Sequence, residues 1–167
     1  AGTGDTGVIY RIKFVSSSSQ AINEMEALYN SNNGEITSLA LDVGGNLYFG
    51  TAGKAGVYRI DPSGTLKTLY EPQLQAVYRL VIEEGNLYAA TGDTQRQGIV
   101  YRITLSGDES INRVLEAEQT QILGLCVGPK GRLLACTGNG AALYELKLPF
   151  NQTGTFESDV FDAKDVA

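Results

Sequence analysis

The sequence contains no histidine and no tryptophan, and it has only two cysteines and one methionine among 167 residues. Histidine is the most frequent general base and metal ligand in proteins, so its absence removes the usual catalytic triads. Two cysteines without histidine make a poor zinc site. We therefore predict no catalytic residue, no metal site and no cofactor.

A basic cluster and a long apolar run are also missing. The 13 lysines and arginines are scattered among 19 aspartates and glutamates, which gives a net charge of −6. Binding to nucleic acid requires a basic surface that neutralises phosphates, so we expect no nucleic-acid partner. No apolar run approaches the length of about 18 residues that a membrane span needs, so we expect no membrane insertion.

The two cysteines, Cys126 and Cys136, fall on consecutive predicted strands. The tight turn between those strands places them out of register, which disfavours a disulfide. We expect both to be small buried hydrophobic residues; a disulfide and a reactive thiol are the alternatives.

One motif occurs four times in the chain. The sequence reads "GTGDTGVIYRI", "GTAGKAGVYRI", "ATGDTQRQGIVYRI" and "CTGNGAALYEL", with the copies ending at Ile12, Ile60, Ile103 and Leu146. Their tyrosines are 48, 43 and 43 residues apart. A fixed period of this length is typical of repeat architectures.

Each complete repeat predicts four short strands. The first two have the patterns "ITSLALD" (36–42) and "GNLYFGT" (45–51), which recur at 77–83 with 85–91 and at 122–128 with 131–137. The tyrosine motif is the third strand. A fourth candidate strand follows at 21–30, 66–71, 111–118 and 155–163, separated by glycine-rich and proline-containing turns. Residues 20–29 also fit a short helix, but their place in the repeat predicts a strand.

Four-stranded units of about 40 to 50 residues are typical of β-propeller blades, which bury both faces of each sheet by stacking around an axis. The segment "SLALDVGGNLYFGTAGKAGVYRIDPSG" resembles bacterial β-propeller repeats of the NHL-like and WD-repeat-like kind, and this similarity covers about residues 1–148. It departs from both families, because no Trp-Asp dipeptide ends the third strand and no Asn-Arg-Ile precedes it. The resemblance implies a fold, and families of this kind mostly bind or scaffold.

We therefore predict an all-β β-propeller with about three and a half four-stranded antiparallel blades. Residues 1–34 form the second half of an incomplete blade, 35–75, 76–121 and 122–163 form three full blades, and 164–167 form a tail. Three and a half blades do not close a ring, since rings usually need four to eight. We expect the chain to belong to a larger closed propeller, with additional blades from the same chain or another.

Binding in a propeller is expected at the loops between strands two and three and between blades, which surround the axis on one face. Here these loops are rich in Asn, Gln, Thr, Asp and Glu, which offer many hydrogen-bond donors and acceptors. The candidate binding residues are Thr3, Asp5, Lys54, Thr91, Asp93, Gln95, Arg96 and Asn139. For each of them, a role in satisfying a turn is the alternative.

The function that these features favour is a non-enzymatic binding or scaffold module for a protein or carbohydrate partner. One alternative is a fragment of a propeller hydrolase or lyase whose catalytic residues lie on further blades, and another is a structural subunit of a large complex. Three features favour a periplasmic or extracellular location: the acidic charge, the absence of an initiator methionine, and the tail "GTFESDVFDA", which resembles a link to a β-sandwich domain.

Overall fold

The computed structural model of the chain describes residues 1–17, 20–31, 34–107, 109–147 and 160–162. Within these residues lie fourteen β-strands and one 3-10 turn at Pro129–Gly131. The strands are β1 Val8–Ser17, β2 Gln20–Asn30, β3 Glu35–Leu41, β4 Leu47–Ala52, β5 Gly56–Ile60, β6 Leu66–Tyr70, β7 Ala76–Glu83, β8 Asn86–Gly92, β9 Ile99–Thr104, β10 Ile111–Glu116, β11 Ile122–Val127, β12 Arg132–Thr137, β13 Ala142–Lys147 and β14 Val160–Asp162. The tail predicted at 164–167 and most of the strand predicted at 155–163 lie outside the described residues.

The strands pair antiparallel with their sequence neighbours and form four groups, which we call blades A to D. Blade A holds β1 and β2, blade B holds β3 to β6, blade C holds β7 to β10, and blade D holds β11 to β14. The backbone also links blades to each other. Ala52 at the end of β4 pairs with Ala76 at the start of β7, and an equivalent bridge joins Gly92 to Gln121.

Among the described residues, three hydrophobic cores lie between consecutive blades. They form because apolar side chains alternate between the two faces of a strand. In β9, Tyr101 and Ile103 pack in the core between blades B and C, while Val100, which directly precedes Tyr101, packs in the core between blades C and D. The third strand of a blade therefore contributes to two cores, because successive side chains of a strand point to opposite faces. This explains why the tyrosine motif has apolar residues on both faces of the strand.

Blade A consists of its two outer strands and a short stub. Gly2 pairs with Ile9, and the amide of Tyr10 donates to the carbonyl of Ala1 at 2.7 Å. Gly2 corresponds in the repeat to Gly50, which pairs with Val57 in blade B. Residues 1–3 therefore occupy the place of a second-strand end.

The expectation that Cys126 and Cys136 are buried was wrong, since both are exposed free thiols. Their register was predicted correctly: Cys126 lies opposite Leu134 and Cys136 opposite Gly124, so they do not face each other. Both side chains lie on the face of blade D that points away from blade C. The equivalent of Cys136 in blade C is Ala90, which is fully buried because blade D covers it.

In the part of the chain that the structure describes, no helix has the length and apolar character needed to cross a membrane.

Candidate functional site

The predicted binding loops, which are those between second and third strands and those between blades, lie at one end of the blades. The bridges Ala52–Ala76 and Gly92–Gln121 place these two kinds of loop side by side. The segment 91–98, which holds the last two residues of β8 and the loop to β9, has eight residues, whereas its counterparts at 3–7, 51–56 and 137–141 have five, six and five. Blade C thus carries an enlarged loop that breaks the symmetry of the repeat.

This enlarged loop forms one wall of a cleft of about 480 Å³ between blades B and C. The guanidinium of Arg96 donates from Nη1 to the carbonyl of Gln73 at 2.6 Å, which joins the loop to the blade B–C connection. The cleft is lined by Tyr70, Gln73, Leu74, Gln95, Arg96, Gln97, Ile99, Tyr101, Arg113 and Glu116. Its volume lies in the range of known ligand sites, which hold apolar walls and a few polar groups.

The apolar part of the cleft contains two aromatic rings that contact each other. The rings of Tyr70 and Tyr101 meet edge to face, with centroids 4.9 Å apart. Tyr101 is 4% exposed, and burial, reinforced by its hydrogen bond with Tyr70, raises its pKa to about 12. Its phenol therefore stays protonated at neutral pH and offers a hydrogen-bonding hydroxyl rather than a charge.

The polar part of the cleft is weakly basic in an otherwise acidic chain. Arg96 and Arg113 contribute two positive charges and Glu116 one negative charge, and the pair Arg113–Glu116 is 3.8 Å apart on the surface. Three glutamine side chains, including those of Gln95 and Gln97, are exposed. Glu116 is the only carboxylate among the residues that line the cleft.

Two predicted binding residues, Thr3 and Thr91, use their hydroxyls for structural hydrogen bonds; Thr3 is partly exposed and Thr91 is buried. Thr91 is fully buried, and its Oγ1 donates to the carbonyl of Ile99 at 2.7 Å and accepts from the amide of Ile99 at 3.2 Å. Thr3 makes the same pair of bonds with Val8 at 3.3 and 2.9 Å. The recurrent threonine thus closes the loop between the second and third strands.

This geometry predicts that Thr91→Val costs stability and leaves binding at the loop face unchanged. The isosteric valine removes both bonds and leaves the buried amide of Ile99 without that partner, which costs about 1–3 kcal/mol of unfolding free energy. Urea unfolding followed by circular dichroism measures the change. Thr68→Val, at an exposed position of β6, is the control and should change the unfolding free energy little. Equal stability of the two variants would contradict the structural role.

Four other predicted residues lie at the loop face and do not line the cleft; three of them, Asp5, Lys54 and Asn139, are exposed, and Asp93 is partly buried. Asp5 and Asn139 have φ values of +40° and +48°, so they supply left-handed turn conformations in blades A and D. Asp93 Oδ1 accepts from the Gln95 amide at 3.0 Å, and this bond lowers the pKa of Asp93. Lys54 pairs with Glu71 at 3.2 Å.

The structure therefore brings two of the eight predicted residues, Gln95 and Arg96, into one cleft. Gln73 and Leu74 belong to the connection between blades B and C, which the repeat pattern already places at the loop face. Its predicted position beside the enlarged loop 91–98 could have identified them as candidates. Arg113 and Glu116 lie on the fourth strand, the part of the repeat that varies most, and no pattern in the sequence marks them.

Within the described residues, no group of three or more His, Cys, Asp or Glu side chains is arranged to hold a metal ion.

Comparison with known proteins identifies relatives by structure alone. No protein-family model matches the sequence, and no curated protein matches it either. A chain of the crystal structure of the nidogen/laminin complex matches with a TM-score of 0.67 and 15% identity, covering 87% of this chain and 56% of its own length. A structure assigned as a gluconolactonase matches with a TM-score of 0.51 and 20% identity, covering 72% of this chain and 49% of its own.

Both similar structures are β-propellers, and the chain has the same fold. The prediction of an all-β antiparallel propeller with about three and a half blades is confirmed, since two strands of blade A precede three four-stranded blades. The chain spans about half the length of the structures that it matches.

Proposed function

We propose that this chain is a non-enzymatic binding module that holds a segment of a protein partner in the cleft between blades B and C. The observation that carries the proposal is the enlarged loop 91–98, which is fixed to the neighbouring blade connection by Arg96 and so shapes the cleft between blades B and C. A rigid scaffold that carries one exceptional loop is a common basis of recognition.

The residue types of the cleft support a protein partner. Tyrosine and arginine are enriched among the residues that dominate protein–protein binding energy, and Tyr70, Tyr101, Arg96 and Arg113 all line this cleft. The match to a chain of the nidogen/laminin complex is further support, because that complex joins two proteins. Carbohydrate is the alternative partner, since tyrosine and glutamine side chains also suit sugars.

The end faces of the described part of the chain support the proposed role as a scaffold. Blade D exposes an apolar face, whereas the equivalent face of blade C is buried against blade D. We therefore propose that further blades, from the same chain or another, complete the propeller in the functional protein. A propeller enzyme with its catalytic residues on such blades, and a structural subunit of a large complex, stay as alternative predictions.

The test pans a peptide display library of random sequence on the purified chain and measures the affinity of enriched peptides. We expect Arg96→Ala to weaken binding at least about tenfold, which corresponds to roughly 1.4 kcal/mol. Lys54→Ala is the matched control, because Lys54 is an exposed cation in the equivalent loop of blade B and does not line the cleft.

Two results would overturn the proposal. Enriched peptides that bind Arg96→Ala as tightly as the parent would place binding outside the cleft. A glycan array that yields Arg96-dependent ligands, while the peptide library yields none, would replace the protein partner with a carbohydrate.

A further inference from the structure

Blade B holds a carboxylate between a tyrosine and a lysine. The ammonium of Lys54 donates to Oε2 of Glu71 at 3.2 Å, and the phenol of Tyr58 donates to Oε1 at 3.0 Å. The bond from Lys54 and the bond from Tyr58 both lower the pKa of the Glu71 carboxyl, which is therefore ionised at neutral pH. Blade B thus contains its own example of a carboxylate bound by the third-strand phenol and a cation.

The strand register identifies the equivalent positions in blade C. Arg113 lies opposite the third-strand tyrosine of that blade, Tyr101, just as Thr68 lies opposite the third-strand tyrosine of blade B. Glu116 follows three positions after Arg113, as Glu71 follows three positions after Thr68. Blade C therefore keeps the tyrosine and the glutamate, and it has an arginine where blade B has a neutral threonine.

The arginine gives the glutamate and the phenol of blade C different partners. Nη1 of Arg113 and Oε2 of Glu116 are 3.8 Å apart, and both side chains are largely exposed. The phenol of Tyr101 hydrogen-bonds with Tyr70 and with Arg113. An exposed ion pair of this kind contributes little, so Glu116 holds Arg113 only weakly. The guanidinium beside the Tyr101 phenol can therefore exchange this partner for a carboxylate of a ligand.

Arg96 adds a second guanidinium to the same cleft. Its Nη1 donates to the carbonyl of Gln73 at 2.6 Å, and a guanidinium carries further N–H donors for a ligand. The carboxylate of Asp93 also interacts with Arg96, but it accepts from the Gln95 amide and does not line the cleft. The residues that line the cleft thus contribute two guanidinium groups and one carboxylate.

We propose that the segment held in this cleft presents an aspartate or glutamate side chain, whose carboxylate binds Arg113 and the Tyr101 phenol, with Arg96 as the second cation. The bound carboxylate takes in blade C the part that Glu71 has in blade B. Charge complementarity supports this partner, because one carboxylate balances the surplus positive charge of the lining residues. Guanidinium–carboxylate hydrogen bonds are also among the strong ones. The inference rests on the proposed function and adds the chemistry of the partner.

The experiment compares two display libraries of random peptides on the purified chain. One library contains all amino acids, and the other omits aspartate and glutamate. In both, the peptide is fused to its carrier through its carboxyl end, so that no terminal carboxylate is free. We expect the complete library to yield peptides that depend on Arg96 and share an acidic position. Peptides from the acid-free library should bind at least about tenfold more weakly.

Substitutions of the two charges near the Tyr101 phenol test the sign of the interaction. Arg113→Gln, and exchange of the acidic peptide residue for its amide, should each weaken binding on the order of tenfold. Combining the two changes should add little, because both remove the same contact. Glu116→Gln should strengthen binding, since it removes the carboxylate that competes for Arg113.

Arg11→Gln is the matched control for Arg113→Gln. Arg11 forms an ion pair with Glu26 on blade A, and the exposure of these side chains is close to that of the pair in blade C. Arg11 does not line the cleft, so its substitution should leave the peptide affinity unchanged. Both arginines are exposed, and circular dichroism verifies that the variants are folded.

The outcomes separate this inference from the proposed function. Acid-free peptides that bind as tightly as acidic ones, and with the same dependence on Arg96, would overturn the inference and leave the cleft as the binding site. Equal effects of Arg113→Gln and Arg11→Gln, or weaker binding by Glu116→Gln, would also overturn it. If neither library yields peptides that depend on Arg96, the proposed function itself fails and the inference fails with it.

Discussion

Phe49→Ala is expected to lower the unfolding free energy by about 3–5 kcal/mol, the range for removing a buried aromatic ring. Phe49 is fully buried in the core between blades A and B. Its ring lies 4.7 Å from that of Tyr29 and 5.1 Å from that of Tyr58, measured between centroids. It is the largest apolar side chain of a small core, so alanine leaves a cavity that few neighbours can fill.

The loss should be concentrated in blade A, because this core is what holds β1 and β2 to the rest of the chain. We expect amide hydrogen exchange in β1 and β2 to accelerate while blades C and D keep their protection. Phe49→Leu is the matched control, since it keeps most of the volume and should lose much less stability. Urea unfolding that shows a loss below about 1 kcal/mol for Phe49→Ala would contradict this view of the junction.

The fold of this protein could be predicted almost completely from sequence, because the pattern of strands and turns that forms one blade recurs along the chain. The strands need alternating apolar residues, and their order follows from the spacing of Tyr10, Tyr58, Tyr101 and Tyr144. Residues 20–29 show the value of the period. Their local pattern fits a helix as well as a strand, yet β2 forms because it must pair with β1.

Burial could not be predicted as well, because it depends on which blade has a neighbour. Cys136 and Ala90 occupy the same repeat position, and only Ala90 is covered by a following blade. Leu143 and Val100 show the same contrast. A sequence pattern describes the strand and the face of a side chain, but exposure is decided by packing between repeats.

The candidate site was predicted in part, and there is a physical reason why some of its residues could be predicted and others could not. Gln95 and Arg96 belong to a loop insertion that is visible in the sequence, so their prediction as exposed candidates required no tertiary information. Thr91 belongs to the same loop and looks equally polar, but its hydroxyl satisfies the backbone of Ile99. Arg113 reaches the cleft from β10, whose pairing with β9 shifts register between Arg113 and Leu115, and repeat spacing does not reveal such a shift.

A second large effect is expected at alkaline pH, where the protein should lose stability between about pH 10 and pH 12. Tyr48 and Tyr101 are 2% and 4% exposed. Burial raises the pKa of each phenol to about 12, from an ordinary value of 10.0. At Tyr48 the hydrogen bond of 3.0 Å to the Asp42 carboxylate adds to the effect, and at Tyr101 the bond with Tyr70 does so.

The direction follows from proton binding. In this interval the unfolded chain has lost the phenolic protons that the native chain retains at Tyr48 and Tyr101, and also at Tyr58, whose pKa burial likewise raises to about 12. Unfolding therefore releases protons, and rising pH favours it. The stabilisation is complete below pH 10 and disappears as the pH passes through the native pKa. Each tyrosine contributes at most about 1.4 kcal/mol per pH unit, so together they remove several kcal/mol across the interval.

Urea unfolding at several pH values, with the phenolate absorbance recorded in parallel, measures this dependence. Tyr101→Phe is expected to lower the starting stability, because it loses the bond with Tyr70, and also to flatten the pH slope by one proton. A cavity or packing defect would lower stability equally at every pH, so the slope distinguishes the two causes. If the double variant of Tyr48 and Tyr101 to phenylalanine keeps the full alkaline slope, other groups titrate on unfolding and the two buried phenols are not its source.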